Sequence, residues 1–264
     1  ISVPIVVKWI NDTSFILTRG ESGISGNYYV GLHEQDEMAF LLKTIARDEV
    51  FVDVGANVGS YTLIASGVKG AKGIVFEPVP ETYLRLMRNL RLNDLTTRVT
   101  AYNSGVSSLG GKLRFTVNMN CENHVVDVDV ENTLEFLEIE VVKLDDIFSA
   151  GPSPHIMKID VEGHEEKVLE GAHRVLANRD LNIVIMEVNF SSGCTKKHEC
   201  VAVRIMLDNG FSPHTYSMRE KELHLLHADE TWPSNIIFIR DVDAVRLRLQ
   251  KAFCCRINGE EFSL

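Results

Sequence analysis

Phe51-Val52-Asp53-Val54-Gly55-Ala56-Asn57-Val58-Gly59-Ser60-Tyr61-Thr62 is the stretch on which the reading of this chain turns. Val50 to Val54 is an apolar run broken by a single acid, the pattern of a parallel strand buried on both faces. The strand ends in a carboxylate, and a glycine-containing turn then opens Tyr61–Val68, which reads as a helix. Gly55 and Gly59 lack side chains, so backbone can come close to a ligand there. Asp53 could accept hydrogen bonds from a ligand ammonium or simply hold the turn. Glycine spacing alone is weak evidence, and the chain on either side gives it weight.

Downstream, strands and helices alternate. Gly73–Phe76 reads as a second strand ending at Glu77, then Pro80–Leu92 as a helix, with Pro80 suited to its first turn and Glu81 to the positive end of its dipole. Arg98–Tyr102 is a third strand. The alternation resumes with strand His155–Asp160, helix Glu165–Leu176, strand Asn182–Val188, helix His198–Asp208, strand Asn235–Ile239 and a terminal helix Val242–Phe253. This order predicts an α/β fold, a doubly wound, mostly parallel sheet with helices on both faces. Two regions depart from it. Residues 1–32 carry short β-branched or aromatic runs (Ile5–Val7, Ser14–Leu17, Tyr28–Val30) punctuated by Gly20, Gly23 and Gly26, and read as a β-rich appendage ahead of one domain over 33–264. Within 112–143, Leu113–Val117, Val125–Val128 and Ile139–Val142 alternate apolar with polar, as an antiparallel insertion would.

In such sheets ligands bind beyond the carboxyl ends of the central strands. Glu77 lies about twenty residues after the glycine turn, where nucleoside-binding folds place an acid for the ribose hydroxyls. The plainer alternative is a solvated acid beside Pro78. Lys158-Ile159-Asp160-Val161-Glu162-Gly163-His164-Glu165 brings further acids to a third strand end, and Glu187 ends a fourth. Glu165 suits a helix N-terminus, and His164 is equally a cap residue or a site residue. A dehydrogenase would share much of this logic, but its G-x-G-x-x-G fingerprint falls here on Gly55, Asn57 and Ser60, two of the three not glycine.

The D-x-G turn is similar to the adenosylmethionine-binding motif of class I methyltransferases, and the longer motifs are more specific. Residues 51–62 resemble the glycine motif of the FkbM-like methyltransferase family. Residues 158–165 resemble that family's second signature, K-I-D-x-E-G-x-E, followed by the similar Val168-Leu169-Glu170-Gly171-Ala172. Glu77-Pro78, Asn93 and Leu144-Asp145-Asp146-Ile147 match in order, and the likeness extends over roughly residues 30 to 240. It implies a seven-stranded Rossmann-like sheet, S-adenosylmethionine as cofactor, and O-methylation of sugars, glycans or polyketide-type hydroxyls, a deoxyhexose such as rhamnose among them. It further implies that Asp53, Gly55, Ala56, Asn57, Gly59 and Tyr61 line the methionine and adenosyl portions. Glu77 with Pro78 would take the ribose, and Asn103 and Ser104 would approach the adenine. A glycosyltransferase is a partner of the kind such an enzyme would work with.

Asp160, Glu162, Glu187 and His164 are the candidates for a base that takes the acceptor's proton, with Asp160 and Glu162 foremost. Asp160, Glu187 and Asn189 could instead hold Mg²⁺ or Ca²⁺, a less favoured arrangement. Cys194, His198 and Cys200 lack a fourth zinc ligand at recognisable spacing. Residues 211–234 offer Tyr216, Arg219, His224, His227 and Trp232, which suit either a sugar face or a packed hairpin.

Bulk properties narrow the class. With 264 residues, 45% of them hydrophobic, the chain can bury one large core. Its 27 Lys and Arg against 37 Asp and Glu leave a net charge of -10, and its longest basic run is the pair Lys196–Lys197. That argues against a phosphate backbone as partner and for a small or uncharged one. No apolar run reaches membrane-span length and no leader pattern opens the chain. Five cysteines, an odd count, read as free thiols of a reducing compartment, so a cytoplasmic setting is expected. The start at Ile1 would fit a piece cut from a longer polypeptide. A non-catalytic descendant of the fold would be expected to have lost the glycine turn or the strand-end acids, and both are present.

Overall fold

The structure, a computed structural model, describes residues 4–18, 23–116, 136–188 and 200–264. The strand expected at Val125–Val128, and Cys121, Asn189, Cys194, Lys196, Lys197 and His198, lie outside the described residues. The chain opens with a hairpin, β1 (Ile5–Lys8) antiparallel to β2 (Ser14–Leu17), followed by helices α1 (Gly23–Val30) and α2 (Gln35–Thr44). Then come β3 (Val50–Val54), α3 (Ser60–Thr62) continued by a π-helical segment Leu63–Val68, β4 (Lys72–Phe76), α4 (Pro80–Leu92) and β5 (Val99–Tyr102). β6 (Gly105–Val106), β7 (Gly111–Thr116) and β8 (Phe136–Val142) form a separate small sheet, and α5 (Leu144–Ile147) leads back. The second half runs β9 (Ile156–Ile159), α6 (Glu165–Glu170), α7 (His173–Ala177), β10 (Ile183–Glu187), α8 (Val201–Asp208), β11 (Ser212–Ser217), β12 (Glu222–Leu225), β13 (Asn235–Ile239) and α9 (Val242–Leu249). A hairpin of β14 (Cys254–Ile257) and β15 (Glu260–Ser263) completes it.

The central sheet has the order β12-β11-β13-β10-β9-β3-β4-β5. From β5 to β10 all neighbours are parallel, and β13, β11 and β12 add antiparallel pairs at one edge. It has eight strands where seven were expected. The extra one, β12, comes from the hairpin within 211–234, whose Tyr216 packs against Phe40 at 5.7 Å.

Alternation along each strand sorts side chains to two faces. Val50, Val52 and Val54 of β3, Met157 and Ile159 of β9, and Val184 and Met186 of β10 join the core under α6 to α8. Phe51, Ile156, Ile183 and Ile185 join the other core, with Trp9, Phe15, Phe40, Leu41 and Val245. Each fully buried aliphatic or aromatic side chain contributes roughly 1.5–3 kcal/mol. The same alternation puts Asp53, Lys158 and Glu187 on the second face, the one covered by the N-terminal helices.

Several local expectations are corrected. Tyr28–Val30, read as a strand from its aromatic and β-branched content, is the last turn of α1. Its buried residues Ile24 and Asn27 recur at helical spacing and leave Tyr28, Tyr29 and Val30 exposed. The helix read over Glu165–Leu176 is broken at Gly171, where a Cβ would lie 2.2 Å from the Ser107 carbonyl oxygen. The helix read to Phe253 stops at Leu249, and Cys254 and Cys255 lie instead on a hairpin strand. That hairpin turns at Asn258 and Gly259, with φ of 49° and 91°, the mirror-image geometry that Asn-Gly favours. The helix read over Tyr61–Val68 is a short α turn running into a π segment.

Two glycines separate steric from conformational cost. At Gly171 the backbone is ordinary and a methyl has no room. At Gly163 φ is 93° and nothing lies within 4 Å. Gly163→Ala should cost about 1–2 kcal/mol, whereas Gly171→Ala should cost about 3 kcal/mol or more, because backbone rather than a pliable side chain must yield. Denaturant melts of the two variants give the comparison.

Candidate active site

Beyond the carboxyl ends of β3, β4, β9 and β10 lies a cavity of about 290 Å³. Its floor is the two motif loops. A side chain on Gly55 would begin 1.8 Å from the Asp160 carbonyl oxygen, so the loops leaving β3 and β9 meet backbone to backbone. Gly55 has φ of 83° and Asn57 of 49°, the left-handed conformations this tight turn requires. Gly59, at φ 97°, turns the chain into α3 and packs under Leu86 rather than lining the cavity.

Of the residues singled out from sequence, Asp53, Gly55, Ala56, Asn57, Tyr61, Glu77, Pro78 and Ser104 line the cavity, as do Asp160, Glu162, His164 and Glu187. Asp53 is 2% exposed and accepts a 2.6 Å hydrogen bond from the Thr62 hydroxyl. Glu77 is also buried; one carboxylate oxygen accepts from the Asn57 N–H and the other from the Val79 N–H, both at 2.9 Å. These bonds fix the carboxylate plane and leave each oxygen a further lone pair. Asn103 does not line the cavity. Its amide donates to the carbonyls of Glu77 and Pro78 at 2.9 and 3.1 Å, so it braces the acid from behind.

Contributors that the sequence did not single out include His33, Glu34, Met38 and Lys158. Lys158 is 2% exposed, with its ammonium 2.8 Å from Asp160 Oδ2 and 4.7 Å from the centre of the Tyr61 ring. Burial penalises this ammonium, but the charges of Asp160, Glu34 and Asp53 outweigh burial and hold it protonated. Burial likewise opposes the ionised Asp160, and Lys158 keeps that carboxyl below its ordinary value. Glu187 is pushed up, by burial first and then by the Asp160 charge and the hydrogen bond between the two carboxyls. The oxygens of Asp160, Glu162 and Glu187 lie within 4.8 Å of one another and could hold a divalent cation. Glu162 sits at φ 51°, an uncommon conformation for a side chain of its kind. His164 meets the Ser107 hydroxyl at 3.0 Å. The aromatic and histidine side chains of 211–234 do not line this cavity.

Two buried hydroxyls in the cavity, those of Tyr61 and Ser104, make no well-formed hydrogen bond, although Glu34 approaches that of Tyr61. Buried polar groups are normally satisfied, so orphans facing a cavity mark where a ligand would complete them. One stands at the α3 side and the other beyond β5, with Glu77 also in the lining. Asp53, Glu77, the side-chain-free Gly55 and these two hydroxyls suit a ligand with an ammonium, a ribose and an adenine.

Comparison with known proteins agrees with these motifs. The family model described as Methyltransferase FkbM domain matches residues 53–213. The hexuronic acid methyltransferase AglP of Haloferax volcanii is 34% identical over 158 residues, 59% of this chain and 62% of that protein. The chain therefore spans about three-fifths of that relative's length. The methyltransferase sdnD of Sordaria araneosa is 28% identical, covering 51% of this chain and 69% of its own. A solved structure of a transferase from Pyrococcus horikoshii aligns at a TM-score of 0.48 and 16% identity, covering 90% of this chain and 71% of that one. The chain belongs to the FkbM methyltransferase domain family.

The acids give the ligand-free protein a definite pH response. Burial raises Asp53 to about 6 and Glu77 to about 7, with neighbouring acids adding to the shift. A carboxyl that holds its proton more tightly folded than unfolded leaves stability intact below its unfolded pKa and erodes it as pH climbs to the folded value. Ligand-free protein should therefore lose denaturant stability from about pH 4.5 to about pH 7 and level off above, apart from a further decline set by Glu187. Glu187→Gln should flatten the upper part of that profile.

Proposed function

We propose that this family member is an S-adenosylmethionine-dependent O-methyltransferase acting on a hydroxyl of a sugar or glycan. The observation that supports this best is the acid-lined cavity at the strand ends, with two buried hydroxyls in its wall that make no well-formed hydrogen bond. The sugar acceptor rests on the AglP likeness and on the family. Asp53 and Tyr61 would face the methionine portion, Glu77 the ribose hydroxyls, and Ser104 the adenine. Pro78, Ala56, Asn57 and Gly55 would shape the surface between them.

When bound, S-adenosylmethionine supplies a methyl group on a sulfonium sulfur that departs as a neutral thioether. The chain's own part is to hold an acceptor oxygen in line with that methyl and to take up the proton the oxygen sheds. Alignment of this kind can supply roughly 7–11 kcal/mol of a barrier. Asp160 is the proposed base. It is kept ionised by Lys158, lies at the end of β9 and accepts a hydrogen bond from Glu187, so a proton arriving on it enters a pair that already shares one. Glu162 and His164 line the same side and would position the acceptor. The Lys158 ammonium supplies Asp160 with a counter-charge without a metal ion, so the reading proceeds without one.

Calorimetric titration with S-adenosylmethionine and, separately, NAD tests the reading: micromolar binding of the first alone is expected. Asp53→Ala or Glu77→Ala should weaken that binding by about 10- to 100-fold, the loss of a hydrogen-bonded charge. Asp160→Asn should retain cofactor binding and lower turnover by about 10²- to 10⁴-fold. Excess chelator should leave turnover unchanged; loss of activity would instead place a divalent ion on Asp160, Glu162 and Glu187.

A further inference from the structure

The family match begins at Asp53, yet one wall of the cavity comes from earlier in the chain. His33, Glu34 and Met38 arrive from the corner between α1 and α2 and from the first turn of α2. The corner is fixed by Asn27, which is wholly buried: its Oδ1 accepts the His33 N–H at 2.8 Å and its Nδ2 donates to the Ser60 hydroxyl at 3.2 Å. Glu34 in turn accepts a 3.0 Å bond from the Asn235 amide, and Asn235 is the register partner of Glu187 across β10 and β13. Glu34 is thereby anchored beside the Asp160–Glu187 pair. The Tyr61 hydroxyl, in a residue 6% exposed, lines the same cavity and is approached by Glu34, and Asn235 Oδ1 is buried without a partner.

We propose that Glu34 is a specificity-determining residue which, with Glu162, makes the acceptor end of the cavity accept a sugar carrying no negative charge and reject a uronic acid. This rests on the reading of the cavity as a methyl-transfer site. Among the described residues that line it, Lys158 is the sole lysine or arginine, set against the carboxyls of Glu34, Asp53, Glu77, Asp160, Glu162 and Glu187. That ammonium is already bonded to Asp160, so it is not free to meet an incoming carboxylate. The His33 ring packs against Gly26, and His164 is engaged with Ser107. Hydroxyls, or an ammonium, donate to carboxylates; among the described residues lining the cavity a carboxylate on the acceptor would find no free lysine or arginine and would face the like charges of Glu34 and Glu162. Like-charge juxtaposition is an effective way to refuse a wrong ligand. The contrast is with the relative named for a hexuronic acid, whose acceptor class this wall would exclude.

The test uses the purified protein in chelator-containing buffer, so that no divalent ion bridges like charges. S-adenosylmethionine binding is measured first by calorimetry. Methyl transfer is then followed to one glycoside scaffold offered as the neutral hexoside, the hexosaminide and the hexuronide. Wild type should favour the first two over the hexuronide by about a hundredfold or more in kcat/KM. Glu34→Gln keeps an acceptor for the Asn235 amide while removing the charge, and should narrow that gap by about tenfold. A hexuronide methylated as well as the neutral hexoside, or a gap unchanged in Glu34→Gln, would overturn the proposal. Failure to bind S-adenosylmethionine at all is a separate result, and brings down the underlying reading instead.

Discussion

The carbonyl oxygen of Asp160 occupies the place where a side chain on Gly55 would begin, and much of the cavity follows from that contact. β3 and β9 are parallel neighbours, with Val54 opposite Ile159, so they end level. Their two loops must then cross the same small space, and they can do so only if one of them has no Cβ. Once they do, the Asp53 turn and the Asp160–Glu162 segment share a floor, and the carboxyls of both motifs enter one cavity. Gly55 is thus needed for the approach of protein to protein before any ligand arrives. That is why the glycine turn and the second signature, about a hundred residues apart in the chain, work as a pair.

Lys158 is the electrostatic counterpart of that contact. An unpaired ammonium at 2% exposure would be strongly disfavoured, and so would an unpaired Asp160. Each makes the other tolerable, and the consequence is directional. Asp160 stays charged and the neighbouring Glu187 is driven to keep its proton, so the cavity holds one ionised and one protonated carboxyl side by side. The strand register sets this up, since Asp53 faces Lys158 across β3 and β9 and alternation puts both on the face where Glu187 emerges. Such a site requires the sheet to be right to the residue, because a one-residue slip would send Lys158 to the opposite core.

What can be read from the sequence follows the range of the interactions involved. The parallel sheet is legible because β3, β4, β9 and β10 are short, largely apolar runs with helical patterns between most of them. The strand-end acids are legible because position at a strand end is a local property. Lys158 lies inside the second signature, but nothing local says that its side chain turns toward the cavity; only alternation counted along β9 from Asp160 could say so. Glu34 is out of reach, because its arrival depends on how α2 packs across the sheet. Asn103 lies outside the cavity lining, its short amide bonded to the Glu77 and Pro78 carbonyls, a placement that depends on how β5 and β4 end beside each other. Asn258-Gly259 is a turn signal of the strongest kind, flanked by alternating residues, and it marks the final hairpin more firmly than helical periodicity marks the end of α9.

The segments outside the matched stretch are built into the cavity rather than hung beside it. Asn89 of α4 and Asn93, just past its end, bond the backbone of β2, at Ile16 and Ser14, and Asn89 also donates to the Val58 carbonyl in the glycine turn. Asn258, in the last hairpin, donates to the carbonyls of Asn27 and Tyr28. The first hairpin, through the Trp9 indole N–H on the Gly31 carbonyl, and the last, through Asn258, therefore meet the corner that presents His33 and Glu34. Side-chain amides suit this bracing, since each can bond two backbone groups of a neighbouring segment and satisfy buried polar atoms on both sides. A division of labour follows. Residues of the two motifs form the floor of the cavity, while His33, Glu34 and Met38, from ahead of the matched stretch, complete one wall.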